Sequence, residues 1–434
     1  MRIGPAVFFS VLLCAVSVVI SGASVAAKAA KAPVYVLLWF DTEDYILPES
    51  DDALLRILTF LNEERAPATF KIVGEKARVL RDRERRDILT ALEQHDVGYH
   101  TNFHSVQPTP ALYLSPLGWE EGVAEFYRRE YQGLEELQRI VGRTASCYGQ
   151  PGSSWGPQQY GGLRDWKIPV YLDDGPHVNL DGRPFYYAGI LTFFSLTHTL
   201  RTELGGTDDL EQAKIEFQEA YQELEVNGGG VISIYYHPCE FVHEEFWDGT
   251  NFRNGANPPR SEWQKPPVKS AEEVETAHAT FEAYVRFIKT FPAVQFKTAR
   301  MLPALFPDLA SLRSFKESEI LEIAKAVEAR GVDYQEQKRF SLSASEVFSL
   351  LVRSAETKLA GEPAVPLQLE KPSILGPINL QPDQIEVKAS LNQYERTVQD
   401  VVDFMKSKGR IPEAIWLGSQ IVSPESFLVT TAHY

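Results

Sequence analysis

Cysteine is rare in this chain of 434 residues, which contains only Cys14, Cys147 and Cys239. Because Cys14 lies in an N-terminal segment that we expect to be removed, at most one disulfide can form, between Cys147 and Cys239. This excludes a small secreted scaffold held together by several bridges. A hydrophobic content of 44% instead predicts one large core and a second, smaller one, which must supply the stability.

Positive charge is also in deficit. Lysine and arginine number 43 against 59 aspartates and glutamates, so the formal net charge is −16 at pH 7. No basic cluster interrupts this balance along the sequence. Because proteins bind nucleic acids largely by neutralising phosphates, the composition argues against a nucleic-acid partner.

The apolar stretch near the N-terminus, from about Ala6 to Ile20, is too short for a typical membrane span. Arg2 precedes it and the small residues of "SVAA" follow it, which is typical of a cleavable secretory signal over residues 1–26. An uncleaved anchor is the alternative. Cys14 lacks the preceding small residue of a lipoprotein site, so no lipid anchor is predicted. We therefore expect a secreted or periplasmic protein without a stable membrane span after signal removal.

Short β-branched and aromatic runs alternate with helical patterns through residues 33–300. The run "PVYVLLWFD" is apolar almost throughout, as expected for a strand buried on both faces. Apolar residues at three-and-four spacing predict helices, among them Arg81 to Gln94, Trp119 to Val141 and Asp209 to Val226. Seven or eight strand–helix units predict an α/β fold with a parallel sheet, closed or nearly closed into a barrel.

The sequence changes character after Arg300. Residues 315–434 are predicted to form a smaller, mainly α-helical C-terminal module, interrupted by the proline-containing "GEPAVPLQLEKPSILGP". An amphipathic stripe runs from Leu391 to Met405 and stops at Gly409. This module contains one histidine, His433, and no acids clustered at ligand spacing, so we expect no chemistry there.

Acids and histidines occupy most of the predicted strand ends of the barrel, where the side chains of a parallel barrel converge. Each alone has an ordinary explanation, as a helix cap, a turn residue or part of a solvated face. Two histidines with a carboxylate, however, satisfy the ligand count of a zinc-type site that keeps a position for water. The residues are Asp41, Glu43 and Asp44 in "FDTED", His100 and His104 in "YHTNFH", Asp173 and Asp174 in "YLDDGP", and His237 and Glu240 in "YYHPCE".

These segments, read in order, resemble the successive motifs of the polysaccharide deacetylases, a family with a NodB-type homology domain and carbohydrate esterase activity. The resemblance rests on "FDTED", "ATFKIVG", "HTNFHS", "GQPGSSW", "VYLDD" and "ISIYYHP" and covers about residues 33–300. It implies a distorted (β/α) barrel of about seven strands. It also implies a hydrolase of carbon–nitrogen bonds in acetylated carbohydrates that uses a divalent metal, zinc in the first instance, with cobalt, nickel and manganese as alternatives.

The resemblance also implies a role for each motif residue. The family's third metal ligand usually follows the catalytic base directly, but Thr42 stands there in this chain. Because strand residues two apart point to the same side, Glu43 is the expected third ligand, with Asp44 as the alternative. The other implied assignments are Asp41 as the base, His237 as the general acid, and His100 and His104 as metal ligands.

A second departure concerns an arginine that members of the family carry two residues before the proline of the third motif, where it orients the base. Gly149 occupies that position, which leaves open how the base is held. Asp173 or Asp174 is a candidate partner of the catalytic histidine, and a plain turn role is the alternative for both. Trp155 is a candidate stacking face for a sugar ring, with a hydrophobic plug under its loop as the alternative.

The C-terminal segment "DVVDFMKSKGRIPEAIWLGSQIVSPESFL" is similar to the pseudomurein-binding repeat, a small wall-binding unit. That resemblance implies contact with a cell wall or glycan, and a structural cap on the barrel is the alternative. Taken together, the sequence predicts an exported, metal-dependent deacetylase of a carbohydrate. Two alternatives stay open: a hydrolase of other carbon–nitrogen bonds, such as those of cyclic amides, and a catalytically inactive glycan-binding protein.

Overall fold

The computed structural model describes residues 32–337, 339–379 and 387–434. The predicted signal segment, residues 1–26, lies outside the described residues. Ten strands form one sheet: Val34–Thr42 (β1), Thr69–Ile72 (β2), Asp96–Tyr99 (β3), Cys147–Tyr148 (β4), Val170–Asp173 (β5), Phe185–Tyr187 (β6), Ile190–Phe194 (β7), Thr199–Leu200 (β8), Gly230–Tyr236 (β9) and Val294–Lys297 (β10).

Strand β1 lies at the centre of this sheet. It pairs in parallel with β9 along most of its length, with β2 along its C-terminal half and with β10 along its N-terminal half. The path through the sheet is β6-β7-β5-β4-β3-β2-β1-β9-β8, and every pairing is parallel except that of β6 with β7. The sheet is curled, and its path has two ends, β6 and β8. The predicted α/β class and distorted barrel are thus confirmed, although pairing within the described residues does not close the barrel.

Apolar residues cover both faces of the sheet. Val36, Leu38 and Phe40 of β1 pack in the large cluster that includes the helices, whereas Leu37 and Trp39 pack in a second cluster on the opposite face. The helices of this region are Pro48–Glu64 (α1), Gly74–Asp82 (α2), Arg86–Ala91 (α3), Pro110–Leu114 (α4), Trp119–Val141 (α5), Gln158–Trp166 (α6), Thr207–Val226 (α7), Gly249–Phe252 (α8), Ala271–Ile288 (α9) and Leu302–Leu305 (α10).

The sequence patterns predict most of these elements, and α5 has the predicted bounds. The single helix expected from Arg81 to Gln94 is wrong: α2 and α3 are separate, because Glu84 between them has a left-handed backbone with φ 56°. The apolar run "YYAGILTFFSL", residues 186–196, lies in an antiparallel hairpin. Ala188 and Gly189 between β6 and β7 both have positive φ, as a tight hairpin turn requires.

The C-terminal part has a hydrophobic core of its own. Ser343, Ser390 and Ser423 accept hydrogen bonds from backbone N–H groups at the starts of three of its helices. The proposed boundaries at residues 33–300 and 315–434 stay predictions. The strands and helices of the C-terminal part are Ser314–Phe315 (β11), Gln335–Glu336 (β12), Ser341–Leu342 (β13), Leu367–Gln368 (β14), Ile415–Leu417 (β15), Gln420–Val422 (β16), Glu317–Arg330 (α11), Ala344–Leu359 (α12), Leu391–Lys408 (α13) and Pro424–His433 (α14).

The C-terminal part contacts the barrel beside the edge strand β6. Arg164 Nη1 donates to Ser373 O at 3.1 Å. The Tyr334 ring meets the Phe185 ring edge-on, with centroids 5.6 Å apart. Because an uncovered edge strand is an aggregation risk, these contacts support a structural role for this part of the chain.

Cys147 and Cys239 are free thiols in separate apolar clusters, so the disulfide that the sequence allows is not formed. Burial raises the pKa of both thiols, which keeps them protonated and unreactive. None of the helices in the described ranges is both long and apolar enough to cross a bilayer.

His95, close in sequence to His100 and His104, has a structural role. It is buried, its Nδ1 accepts a hydrogen bond from Ala68 N at 3.2 Å, and its ring packs edge-on against Phe70. Burial lowers the pKa of His95 from 6.5 to about 4. Protonation would therefore put a charge in the core and remove the acceptor for the Ala68 N–H.

We expect the free energy of unfolding to fall as the pH is lowered from about 6.5 to about 4. In this window the unfolded chain binds a proton at His95 that the folded chain does not bind, so acid favours unfolding. Urea denaturation across this window should show a shallower pH slope for His95→Gln, by up to about 3 kcal/mol in total. The exposed His433, replaced by Gln, serves as the control. An unchanged slope in His95→Gln would contradict the assignment.

Candidate metal and active site

The predicted strand ends of the barrel converge on one edge of the sheet. Strands β3, β2, β1 and β9 are neighbours and run in parallel, which brings Asp41, His100 and His237 together. Asp41 Oδ1 lies 3.6 Å from His100 Nδ1, and Asp41 Oδ2 lies 3.7 Å from His237 Nε2. Asp41 and His100 are buried, and the His237 side chain is 12% exposed. Solvent therefore reaches this group of residues from the side of His237.

Glu43, His100 and His104 form a compact cluster. Glu43 Oε2 lies 2.7 Å from His104 Nε2 and 3.2 Å from His100 Nε2, and one ligand atom of each residue lies within 4.8 Å of the others. His104 reaches this point through a tight turn, since Thr101 and His104 have left-handed backbones with φ of 64° and 53°. Non-glycine residues adopt this conformation at a cost, and such strain concentrates at functional sites.

The outer hydrogen bonds of the two histidines fix which ring nitrogen carries the proton. His100 Nδ1 lies 3.0 Å from Gly149 O, which can only accept, so Nδ1 donates. His104 Nδ1 lies 2.6 Å from Ser105 Oγ, whose own proton goes to Asp248 at 2.6 Å, so Nδ1 donates here too. When both rings are neutral, each Nε2 therefore presents a lone pair to the carboxylate between them. Three acceptors that face one another repel unless a cation compensates them, and this donor set fits a divalent metal.

Asp44, the alternative third ligand, is engaged elsewhere. Its Oδ1 accepts hydrogen bonds from Ile46 N at 2.8 Å and Leu47 N at 3.3 Å, which holds the turn before α1. Its Oδ2 lies 2.8 Å from His243 Nε2. Since both oxygens have partners, the geometry favours Glu43 as the ligand.

The long loop between β9 and α9 supplies contacts that the sequence patterns do not predict. Trp247 is fully buried, and its Nε1 donates to Glu43 Oε1 at 2.7 Å, which leaves Oε2 for the histidines. Asp248 holds Ser105 and, through it, the His104 ring. The only signal in the sequence is the density of aromatic and acidic residues in "HEEFWD", which has no periodicity and indicates no partner.

His237 has a carboxylate partner on its own turn. Glu240 Oε1 lies 2.8 Å from His237 Nδ1, and Glu240 Oε2 accepts from His237 N at 3.3 Å. Arg201 pairs with Glu240 from the segment that follows β8. The expectation that Asp173 or Asp174 partners this histidine is wrong in this structure, because the short 3₁₀ turn after His237 brings the side chain three residues on against its ring.

Asp173 instead contacts Lys71, a residue outside the acids and histidines at the strand ends. Lys71 Nζ lies 2.9 Å from Asp173 Oδ2, 3.0 Å from Asp41 Oδ1 and 4.1 Å from the centroid of the Trp39 ring. Asp174 donates its backbone N–H to Asp173 Oδ1 at 2.8 Å. Lys71 is fully buried in the middle of the apolar run "ATFKIVG", and a charged residue in such a run is the one signal that could have indicated it.

The electrostatics of the cluster favour an ionised Glu43. Burial alone would raise the pKa of the Glu43 carboxyl. When the Nε2 atoms of the histidines carry protons, the charge of His104 and the hydrogen bonds from both histidines hold the pKa of Glu43 well below its usual value. Burial would lower the pKa of His104, but Glu43 raises it above its usual value. The ionised Glu43 therefore needs one compensating positive charge. A proton on His104 or a bound cation can supply it.

Trp155 is half-buried, packs against the barrel core and stacks on the His177 ring, with centroids 6.0 Å apart. These contacts fit the alternative interpretation of a hydrophobic plug. A sugar contact of Trp155 stays a prediction.

No family model and no curated protein matches this chain. Among solved structures, a protein assigned as a polysaccharide deacetylase from Mycobacterium smegmatis aligns over 64% of this chain and 91% of its own, with 14% identity and a TM-score of 0.42. The PuuE allantoinase aligns over 64% of this chain and 93% of its own, with 12% identity and a TM-score of 0.41. A CE4 family pseudoenzyme from Bacillus anthracis aligns over 61% and 64%, with 12% identity and a TM-score of 0.31. With such low TM-scores, these similarities do not indicate which reaction this chain catalyses.

We expect the two candidate third ligands to differ sharply in metal binding. Glu43→Gln should weaken zinc binding by more than about 100-fold, since loss of an outer contact alone can cost that much. Asp44→Asn should weaken it by less than about tenfold, because the Asp44 side chain contacts the turn before α1 and His243 and neither of the two histidines of the cluster. Isothermal titration of chelator-treated protein with zinc measures both, and circular dichroism checks that each variant is folded. The reverse order of affinities would assign the ligand to Asp44.

Proposed function

We propose that this chain is a metal-dependent hydrolase that removes acetyl groups, N-acetyl groups in the first instance, from a carbohydrate polymer or oligosaccharide. The observation that carries the proposal is the convergence of the Nε2 atoms of His100 and His104 on the Glu43 carboxylate, beside Asp41 and His237. A cation-binding cluster next to two groups that can move protons supports hydrolysis of an unreactive amide. The position of the cluster at the carboxyl ends of parallel strands supports it as well.

The reaction needs help at three points. An acetamide is a poor electrophile, neutral water is a poor nucleophile, and an unprotonated amine anion is a poor leaving group. A divalent cation held by Glu43, His100 and His104 would supply Lewis acidity. Asp41 Oδ2 would accept the proton of the attacking water, and His237 Nε2 would give a proton to the departing amine.

The proton that His237 gives must be acquired during the reaction. Burial lowers the pKa of His237 to about 4, so near pH 7 its Nδ1–H faces Glu240 and its Nε2 carries no proton. Asp41 Oδ2 lies 3.7 Å from this Nε2, so a small movement would let it pass on the proton taken from water. One proton thereby moves from water through Asp41 and His237 to the amine, and none is stored.

Replacing Asp41 with Asn keeps the shape of the side chain but removes the acceptor of the water proton. We expect acetate release from N-acetylated oligosaccharides to fall by about 10²- to 10⁴-fold, while bound metal stays near the wild-type amount. His104→Ala, by contrast, should lose both bound metal and acetate release. Enzyme-coupled acetate detection and elemental analysis of the same preparations measure the two quantities. An Asp41→Asn protein with nearly full activity would exclude Asp41 as the base.

The contact between Glu240 and His237 gives a separate prediction. Glu240→Gln should lower kcat by at least about tenfold with little change in KM, because the amide cannot stabilise the imidazolium that forms during proton transfer. Asp174→Asn is the matched control, since Asp174 also follows a strand end and donates its backbone N–H to Asp173 Oδ1, a bond that the substitution keeps. Equal effects of the two variants would argue against Glu240 as the functional partner.

The choice of substrate separates the proposal from its alternatives. The departure at Gly149 motivates a test of cyclic amides beside N-acetylated and O-acetylated oligosaccharides. Ring opening without acetate release would favour the cyclic-amide hydrolase. The departure at Thr42 motivates the inactive alternative, and a metal-free chain that binds glycans without turnover would favour it.

We also propose that the chain is exported and that its C-terminal part contacts a glycan or cell wall. Export rests on the signal pattern of residues 1–26. The glycan contact is supported by Trp416 in the β15–β16 hairpin, which is 60% exposed and offers a large aromatic face to a partner. A structural cap stays the alternative, since the same part covers the edge strand β6.

A further inference from the structure

We propose that Lys71 is a positioning residue that holds the Asp41 carboxylate in its working orientation, and that Gly149 is required because the Lys71 ammonium fills the space beside it. The effect of Lys71 on the reaction rate rests on the proposed function. The effect of Lys71 on the orientation of Asp41 is independent of the proposed function. Position 149 carries no cation to orient the base, and the cation comes from β2 instead.

The Lys71 side chain crosses the neighbouring strands toward β5. Lys71 is the direct neighbour of Asp41 in the parallel register of β1 and β2, and of Gly98 in that of β2 and β3. A Cβ at Gly98 would come within 3.0 Å of Lys71 Cγ and would collide with Cys147 Sγ. A Cβ at Gly149 would collide with Lys71 Nζ itself. Glycines on β3 and directly after β4 thus leave the space that the lysine occupies.

Gly149 is needed for space and not for backbone conformation. It is not among the residues with positive φ, so any side chain could adopt its backbone angles. A Cβ there would also collide with Asp173 Oδ2 and lie 2.8 Å from Leu172 O. These two atoms and Lys71 Nζ belong to one ionic cluster, so the space at Gly149 serves that cluster.

The ammonium of Lys71 is held from four directions. It donates to Asp173 Oδ2 and to Leu172 O, both at 2.9 Å, and it lies 3.0 Å from Asp41 Oδ1. The face of the Trp39 ring closes the fourth side at 4.1 Å. An ammonium has three donors, and three oxygens surround it. Nζ therefore has little freedom to move.

This arrangement separates the two oxygens of Asp41. Oδ1 faces the fixed ammonium, whereas Oδ2 faces His237 Nε2 at 3.7 Å. Rotation of the carboxylate would break the ion pair with Lys71 and turn Oδ2 away from the place where we propose that it accepts a proton. Lys71 thus acts on the reaction only through Asp41.

The test compares Lys71→Met with the double variant Lys71→Met/Asp173→Asn. Loss of the lysine alone leaves two buried carboxylates without a cation and should lower Tm strongly, and Asp173→Asn should restore most of that loss. If Lys71 positions Asp41, kcat stays at least about 30-fold below wild type in the double variant, with KM within about threefold. A stable double variant with wild-type kcat would overturn the proposal, because Lys71 would then only compensate charge.

Gly149→Ala tests the same contact from the other side. We expect kcat to fall at least about tenfold in the wild-type background, because the methyl group displaces the ammonium, and to fall much less in the Lys71→Met/Asp173→Asn background. Equal losses in both backgrounds would show that Gly149 does not act through Lys71.

Crystal structures of the wild type and the double variant keep this inference distinct from the proposed function. If the wild-type chain releases no acetate, the orientation of Asp41 in the crystal still tests the positioning role of Lys71. A rotated or disordered Asp41 carboxylate in the double variant supports that role. An unchanged carboxylate overturns it. Lys76→Met is the matched control, since Lys76 is equally buried and pairs with Asp51 at 2.5 Å. It should lower Tm comparably and leave Asp41 in place.

Discussion

Buried negative charge is the constraint on which this site depends. Asp41, Glu43 and Asp173 have side chains that are 9% exposed or less, at one edge of the sheet. A carboxylate in such surroundings is strongly disfavoured without a cation or donors. The chain compensates this charge in two places: Lys71 lies between Asp41 and Asp173, and the two histidines lie beside Glu43. Strand β1 connects the two places, because Asp41 lies in β1 and Glu43 is the first residue after it.

The two compensations differ in whether the positive charge can be exchanged. Burial would lower the pKa of Lys71, but Asp173 and Asp41 raise it above its usual value, so the ammonium stays charged at every working pH. The negative charge of Glu43 can be compensated by a proton on His104 or by a metal ion, and both can bind and dissociate. A permanent cation suits a carboxylate held in one orientation, whereas an exchangeable one suits a cluster that could bind a metal.

The sequence predicts those features whose cause is local. The apolar run of β1, the helical spacing of α5 and the acids and histidines at strand ends are all visible in short windows. The partner of a side chain is not, when it depends on distant residues. Lys71 lies in an apolar run, and its path depends on Gly98 and Gly149 in other strands. Trp247 belongs to a loop without periodicity. Whether Glu43 or Asp44 faces the histidines depends on the turn before α1, which the alternation of a strand cannot predict beyond the strand's end.

The position of Lys71 also accounts for the partner of His237. Because Asp173 is held by Lys71, it is not available to the histidine, which takes its carboxylate from Glu240 on the turn that follows β9. That 3₁₀ turn places the side chain of Glu240, three residues after His237, against the imidazole ring. Arg201 compensates the charge of Glu240. Lys71 on β2 thus pairs with Asp173, and His237 pairs with Glu240. The glycine at position 149 and the Glu240 partner of His237 therefore both follow from the position of Lys71, which occupies the space beside Gly149 and pairs with Asp41 and Asp173.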